Sequence, residues 1–523
     1  MKKLYPLVIA LLVSTTIFSC KKNNPNVTGP NSPGTTLDKI KDSIYLYANE
    51  DYLWNTALPT YSDFAPRTFS NTVDLTALTS EINALSQYAV NPATGLPYEY
   101  YAPNPGDAKY SFIDDGTETS ALNGVKGDFG FDVQYNLEND LRVEYVYPGS
   151  PAGLAGIQRG DKITSINGST NISYDGQGYG TGTGVNLAFV SNSIFSSSSI
   201  TMTLKKADST TFSTTLNTAI YNVNPVLKDT VLNLANGHTV GYIEFNSFTS
   251  DDVADPVLDA AFTNFAAQGV TDLVVDLRYN GGGYVLTAQH LDNLIVPASK
   301  TGSLMYNSYF NDNLVNSKDP LLANQWRIDP TTGKDYNYGQ VSYTVAANAV
   351  NFAKAGTLNV SRVFFIITGN TASASELTIN NLRPEMDVEF VGETSYGKPV
   401  GFFDIDINKY IMYTPEFYVQ NSAGQGGYYA GFTPGASGYP GIKDSDDLTK
   451  NFGDPTEGLF ADVLTYINTG TYTASNLAVR NTRTAAKTFA LNTGNRINFH
   501  SKKPVFNGMI FKQRALKLKA IKK

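Results

Sequence analysis

Two short, almost wholly apolar runs constrain this 523-residue chain most, Leu273-Val274-Val275-Asp276-Leu277 and Arg362-Val363-Phe364-Phe365-Ile366-Ile367. Each has the length and β-branched or aromatic content of a strand, and each is followed by a loop of small residues and then a helical pattern. A strand without a polar face must be covered on both sides, which predicts central strands of a largely parallel sheet. Val240-Gly241-Tyr242-Ile243-Glu244-Phe245 reads as a third strand, and residues 252–267, 284–295 and 374–382 read as helices. Crossover connections therefore make residues 223–470 an α/β core. Within it, residues 297–356 are Asn- and Tyr-rich and weakly patterned, and read as an inserted strap or lid.

The flanks have other textures. Lys2 and Lys3, an apolar run over 4–18 and then Ser19-Cys20 form an export signal, because the run is too short to span a bilayer comfortably. Ile17-Phe18-Ser19-Cys20 resembles the lipobox of bacterial lipoproteins, which implies lipid on Cys20, a membrane anchor in the cell envelope and a flexible tether over 21–37. Cys20 is the only cysteine, so no disulfide or cysteine chemistry remains. Helical periodicity over 37–47 and 75–85 predicts a small helical domain at 38–110. Residues 111–222 instead show short alternating runs separated by glycines, such as Phe129-Gly130-Phe131-Asp132-Val133-Gln134-Tyr135. The formal charge of −8 hides an asymmetry: residues 473–523 hold 12 of the 39 Lys/Arg and none of the 47 Asp/Glu. This basic extension reads as a solvated tail or a cap on an acidic body, or else a contact for anionic lipid or glycan. An acidic body and an export signal argue against nucleic acid.

Chemistry-bearing residues follow the apolar strands. Asp276-Leu277-Arg278-Tyr279-Asn280-Gly281-Gly282-Gly283 follows one, and Thr371-Ala372-Ser373-Ala374-Ser375-Glu376 the other, and open α/β sheets bind ligands at such carboxyl ends. A serine hydroxyl needs a base, and the chain has only three histidines, His238, His290 and His500. Lys398 in Gly397-Lys398 becomes a base if apolar surroundings lower its pKa. The glycines let main chain approach a carbonyl, and the turn into the helix exposes the Ala374 N–H, which suggests an oxyanion hole. Taken singly, Ser373 is more often a helix N-cap and Lys398 a surface lysine. Asp276 and Arg278 read as an ion pair holding the loop, Glu376 as a helix N-terminal charge and His290 as structural. The glycine run over 176–184 lacks a P-loop lysine, so nucleotide binding is discounted.

Residues 146–168, with Pro148-Gly149-Ser150-Pro151-Ala152, Gly160-Asp161 and Asn167-Gly168, resemble a PDZ domain. The resemblance implies that Phe129, Gly130 and Phe131 receive a peptide's C-terminal carboxylate, with the helix at 186–195 across the groove. Together with Asp276-Leu277-Arg278, Ser373-Ala374-Ser375-Glu376 and Gly392-Glu393 to Gly397-Lys398 in this order, the chain resembles the C-terminal processing (tail-specific) serine proteases over about 38–470. It implies a multidomain α/β protein: a crotonase/ClpP-like α/β protease core, a β-rich PDZ domain and a small helical N-terminal domain. By the same resemblance Ser373 is the nucleophile, Lys398 the general base, and Ala374 with Gly282 the oxyanion hole, Gly281 and Gly283 remaining alternatives. Substrates would be polypeptides held by their C-terminal ends, with no metal or cofactor. The polar third residue common in the family is absent, since Pro384 and Phe402 occupy its two usual places. An orienter would come from Asn380, Asn381 or Ser375. A weakly active or inactive peptide-binding protein on the same fold is the alternative, and a crotonase-like acyl-CoA enzyme is disfavoured by the PDZ-like module and export signal.

Overall fold

In the computed structural model, which describes residues 33–176, 184–329, 332–472, 508–511 and 519, the two apolar runs are neighbouring parallel strands, Asp272–Asp276 beside Arg362–Ile367. They are central in a six-stranded sheet ordered Gly441–Lys443, Asp387–Gly392, Arg362–Ile367, Asp272–Asp276, Thr239–Phe245, Val226–Asn233. Only the last strand is antiparallel to its neighbour. The alternation of side chains sorts the two faces. Leu273, Val275, Val363, Phe365 and Ile367 pack with the helices Asp251–Ala267, Val285–Ile295 and Ala374–Leu382. Val274, Phe364 and Ile366 pack on the other face with Leu459, Phe460 and Val463 of the helix Gly458–Thr469. Both faces are thus covered by helices, as an all-apolar strand requires.

A second six-stranded sheet is ordered Gly282–Tyr284, Gly508–Ile510, Val400–Phe402, Pro415–Asn421, Leu304–Phe310, Ala349–Asn351. Two of its strands come from within 297–356, so that stretch is partly regular sheet. The glycine string and the lysine loop each lead into this sheet, which therefore forms one wall of the region between them.

The N-terminal helix Thr36–Asp51 starts at a capping box, with Asp38 N–H donating to Thr35 Oγ1 at 3.1 Å and Thr35 N–H donating to Asp38 Oδ2 at 2.8 Å. Near its end, Glu50 accepts the Leu321 and Leu322 N–H groups at 2.9 Å and so ties this helix to the 297–356 insertion. Downstream, a five-stranded antiparallel sheet ordered Phe131–Leu137, Asp140–Val146, Lys162–Ile166, Ser199–Lys205, Thr211–Asn217 carries the helix Val185–Phe195 and has its own hydrophobic core. Phe131–Leu137 is an edge strand there. Residues 1–32, most of the glycine run (177–183) and residues 473–507 lie outside the described residues, as do the expected export signal and Cys20. Among the described residues no helix is long and apolar enough to cross a membrane.

Arg278 joins the parts, as its expected pairing with Asp276 suggests. Fully buried, its guanidinium meets Asp276 at 2.6 Å, Asp446 at 2.6 Å and Glu457 at 3.0 Å. Arg159, from the five-stranded domain, reaches the same Asp446 at 2.7 Å and donates to the Lys450 carbonyl at 3.0 Å. Removing one partner of such a cluster leaves buried charge uncompensated. Arg278→Met is expected to lower stability by about 3–5 kcal/mol, read as a fall in the urea midpoint at unchanged slope.

Candidate active site

Ser373 sits at the N-cap of the helix Ala374–Leu382, but not in the usual cap geometry. Its φ is 58° and ψ −107°, a left-handed conformation that a residue with a Cβ adopts at a cost of about 1–3 kcal/mol. Its Oγ has no hydrogen-bond partner among the described residues, so the hydroxyl is not spent on capping. The preceding loop is pinned to the end of the neighbouring strand: Thr371 Oγ1 donates to the Leu277 carbonyl at 2.7 Å, and Ala372 N–H and Ser375 Oγ both donate to the Asn280 carbonyl at 3.0 Å. Parallel strands whose loops leave the same end make these contacts possible.

Glu376 supplies the link to Lys398. Its Oε2 accepts the Ser373 N–H at 3.0 Å and the Lys398 N–H at 2.8 Å, while its Oε1 accepts the Gly397 N–H at 2.7 Å and the Ser395 hydroxyl at 2.6 Å. The serine and lysine backbones therefore meet on one carboxylate oxygen. Burial pushes the Glu376 carboxyl above its ordinary range, and the four donors pull it back toward the ionised form. The Ser-x-x-Glu spacing was legible as a helix start; the second half of the carboxylate's role, holding the lysine loop, was not.

Lys398 is fully buried and its amine lies 3.5 Å from the centre of the Phe402 ring. Burial drives the lysine well below its ordinary pKa, against the pull of Glu99, Glu376 and Glu416, and Lys109 adds to the lowering. Phe402, at one of the two places where the family often has a polar residue, thus sets an aromatic face against the amine. Of the three substitutes expected from sequence, Ser375 Oγ donates to the Asn280 carbonyl, Asn380 Nδ2 to the Gln425 carbonyl at 2.9 Å, and Asn381 Nδ2 to Asp292 at 2.8 Å. Sequence reasoning also missed two residues from the N-terminal region. Tyr110 donates its hydroxyl to the Gly397 carbonyl at 2.7 Å, and Lys109, pushed down to about 8 by burial, donates to the same carbonyl at 3.2 Å. No local signal near 109–110 marks them, because the contact spans more than 280 residues of chain.

Ala374 is the first helical residue, so its N–H has no intrahelical acceptor. Gly282, with φ 102°, packs so closely that a Cβ there would lie 2.8 Å from the Ala374 nitrogen. Its own N–H, however, donates to Asn280 Oδ1 at 2.9 Å, with Asn280 held in turn by the Phe245 carbonyl at 2.7 Å. In the five-stranded domain, Phe129 and Phe131 are buried in the core, while the Gly130 N–H donates to Asp128 Oδ1 at 2.8 Å. The expected helix across from them is present as Val185–Phe195. His290 pairs with Asp259 at 2.8 Å and His238 with Asp272 at 2.6 Å, and His500 lies outside the described residues. Among the described residues no cluster of His, Cys, Asp and Glu could hold a metal ion.

A strained serine at a helix start and a buried lysine thus come together through one carboxylate, beyond the ends of parallel strands. Comparison with known proteins places the chain further. Residues 239–434 match the model of peptidase family S41, and residues 142–176 match that of a PDZ domain. The chain is 31% identical over 284 residues to the carboxyl-terminal-processing protease of Picosynechococcus sp. (53% of this chain, 54% of the relative). It is 26% identical over 283 residues to the chloroplastic C-terminal processing peptidase of Tetradesmus obliquus (51% and 50%). The chain spans about half the length of the curated relatives it matches. In fold it is similar to the crystal structure of a Bacteroides fragilis protein described as an S41 protease, with a TM-score of 0.52 and 23% identity over 84% of this chain and 99% of the other.

Two substitutions separate strain from chemistry. Ser373→Gly relieves the left-handed backbone and is expected to be about 1 kcal/mol more stable than Ser373→Ala in urea unfolding. Glu376→Gln puts an amide where one pair of donors now finds an oxygen, and is expected to cost about 2–4 kcal/mol in the same measurement. A stability within 0.5 kcal/mol of wild type, about the scatter of a surface change, would remove Glu376 from its place as the link.

Proposed function

We propose that this chain is a serine endopeptidase acting on polypeptides through a Ser373–Lys398 dyad. The observation that carries the reading is the shared Glu376 oxygen, which holds the two backbones together around a lysine whose burial favours the neutral amine. Lys398 Nζ takes the Ser373 Oγ proton as Oγ attacks the peptide carbonyl. Ala374 N–H, at the N-terminus of its helix, faces the developing oxyanion, joined by Gly282 N–H when Asn280 Oδ1 releases it. The protonated lysine then gives its proton to the leaving amine, and water, deprotonated by the same lysine, hydrolyses the ester. No step calls for a metal or cofactor.

The PDZ domain supplies recognition in this reading. Phe131–Leu137 is an edge strand to which an extended peptide adds, with the loop Phe129-Gly130-Phe131 at the end where a terminal carboxylate would sit. The relatives' names, which speak of carboxyl-terminal processing, support a substrate taken by its C-terminal end. The sequence of residues 1–20 supports export, with lipid on Cys20 holding the protein at the cell envelope.

Hydrolysis of unfolded casein tests the dyad. Ser373→Ala and Lys398→Met are each expected to lower kcat/KM by roughly 10³-fold or more. Equal activity in wild type and both variants would exclude it. Activity also has a defined pH sign. The base works as the neutral amine, so kcat/KM rises with pH through the lysine's folded-state pKa. Since burial depresses that value, the rise should be complete below the ordinary lysine range near 10.5, and a limb centred at or above it would rule out a buried lysine base.

A further inference from the structure

Ser373, Ala374 and Lys398 are all fully buried, so a polypeptide reaches them only if something moves. The strand Gly508–Ile510 lies in the way. It is inserted between Gly282–Tyr284, which continues the glycine string, and Val400–Phe402, which continues the lysine loop, and it runs parallel to both. Gly508 pairs with Gly282, and Ile510 with both Tyr284 and Phe402. Gly508 N–H donates to the Gly281 carbonyl at 3.0 Å, and Phe511 N–H to the Phe402 carbonyl at 2.8 Å. A Cβ on Gly282 would stand 2.3 Å from the Gly508 carbonyl oxygen and 2.8 Å from the Ala374 nitrogen. A main-chain carbonyl of the tail thus lies beside the N–H that faces an oxyanion in the proposed mechanism.

We propose that residues 508–511 are a built-in occupant of the polypeptide slot, so that the resting chain blocks its own site. This rests on the peptidase reading above and adds its regulation and the kind of peptide the slot takes. The occupant is an extended segment with glycine nearest the nucleophile and then Met509, Ile510 and Phe511, all buried. Ile510 shares a cluster with Tyr284, Val400, Phe402 and Tyr413, whereas Phe511 on the opposite side meets Phe310, Phe403 and Phe417 edge-on, with ring centres 5.9, 5.3 and 5.7 Å away. Substrates that replace it are therefore extended stretches with a small residue followed by apolar ones. Among the described residues the block is held by main-chain pairing over three residues and, further on, by Lys519, whose Nζ meets Asp319 at 2.9 Å and whose N–H donates to the Gln340 carbonyl at 2.8 Å. Because the segment follows the core in sequence, its departure breaks no crossover of the central sheet.

The test uses the full chain and casein hydrolysis. A slot filled nine-tenths of the time weakens apparent substrate affinity about tenfold, so Met509→Asp is expected to raise kcat/KM by about tenfold. Lys519→Ala, remote from the dyad, should give a smaller rise of about twofold to fivefold through the same shift in occupancy. Excess synthetic peptide of residues 503–513 should return Met509→Asp to the wild-type rate. If wild type is active, Ser373→Ala is not, and neither variant gains activity, the tail is a structural strand and the proposal is overturned. Should Met509→Asp unfold, Lys519→Ala decides alone by the same criterion. If no chain cleaves casein, the peptidase reading itself fails, and fluorescence anisotropy of the labelled 503–513 peptide decides the occupant. Binding to the loosened variants but not to wild type supports it, and binding to none, or equally to all, overturns it.

Discussion

A buried carboxylate with four donors around it organises this molecule. Glu376 is fully buried, and a charge in that position is tolerated only with its hydrogen bonds in place. Its donors are the backbone of Ser373, the backbone of Gly397 and Lys398, and the Ser395 hydroxyl, which itself accepts the Phe432 N–H at 2.8 Å. Segments from a helix start and from a loop some twenty residues later are thereby fixed against each other. The Gly397 carbonyl extends the network to Lys109 and Tyr110, so the N-terminal region helps hold the lysine loop.

The same dryness that makes the carboxylate a strong link favours the neutral form of the lysine. Removing water lowers the Lys398 pKa, and it raises the carboxyls of Glu99, Glu376 and Glu416 near it. With Phe402 beneath the amine at 3.5 Å, an aromatic face packs on the lysine and partly compensates its charged form. Strain is concentrated in the same place, at the left-handed Ser373, whose backbone persists because Thr371, Ala372 and Ser375 are pinned to Leu277 and Asn280. Ser373, Ala374 and Lys398 are all closed off from solvent, and the short strand Gly508–Ile510 is one of the pieces that cover the region between their loops.

Much of the fold could be read from sequence for simple reasons. Apolar runs five or six residues long, such as 273–277 and 362–367, admit few placements, and a helix start after Ser373 carries its own capping spacing. The second sheet could not be read in this way. Gly282–Tyr284, Val400–Phe402 and Gly508–Ile510 are three residues each, too short to display a period, and the last lies in a stretch whose Lys and Arg content reads as solvated. Ser375, Asn380 and Asn381 lie near the serine in sequence, but packing sends their donors to Asn280, Gln425 and Asp292, contacts no local pattern displays.

The strands at 240–245, 273–277 and 362–367, the helices that follow them, the PDZ-like segment and the residue types at the strand ends were determined by the sequence alone, because each depends on local periodicity, turn chemistry or motif. Which of those residues share a surface was decided only by tertiary structure. That Ser373 and Lys398 converge on one oxygen of Glu376, that Gly282 spends its N–H on Asn280, and that residues 508–511 lie between the strands leading from the glycines and the lysine are facts of long-range packing. Burial and hydrogen-bond satisfaction set them across hundreds of residues, and no local pattern carries that information.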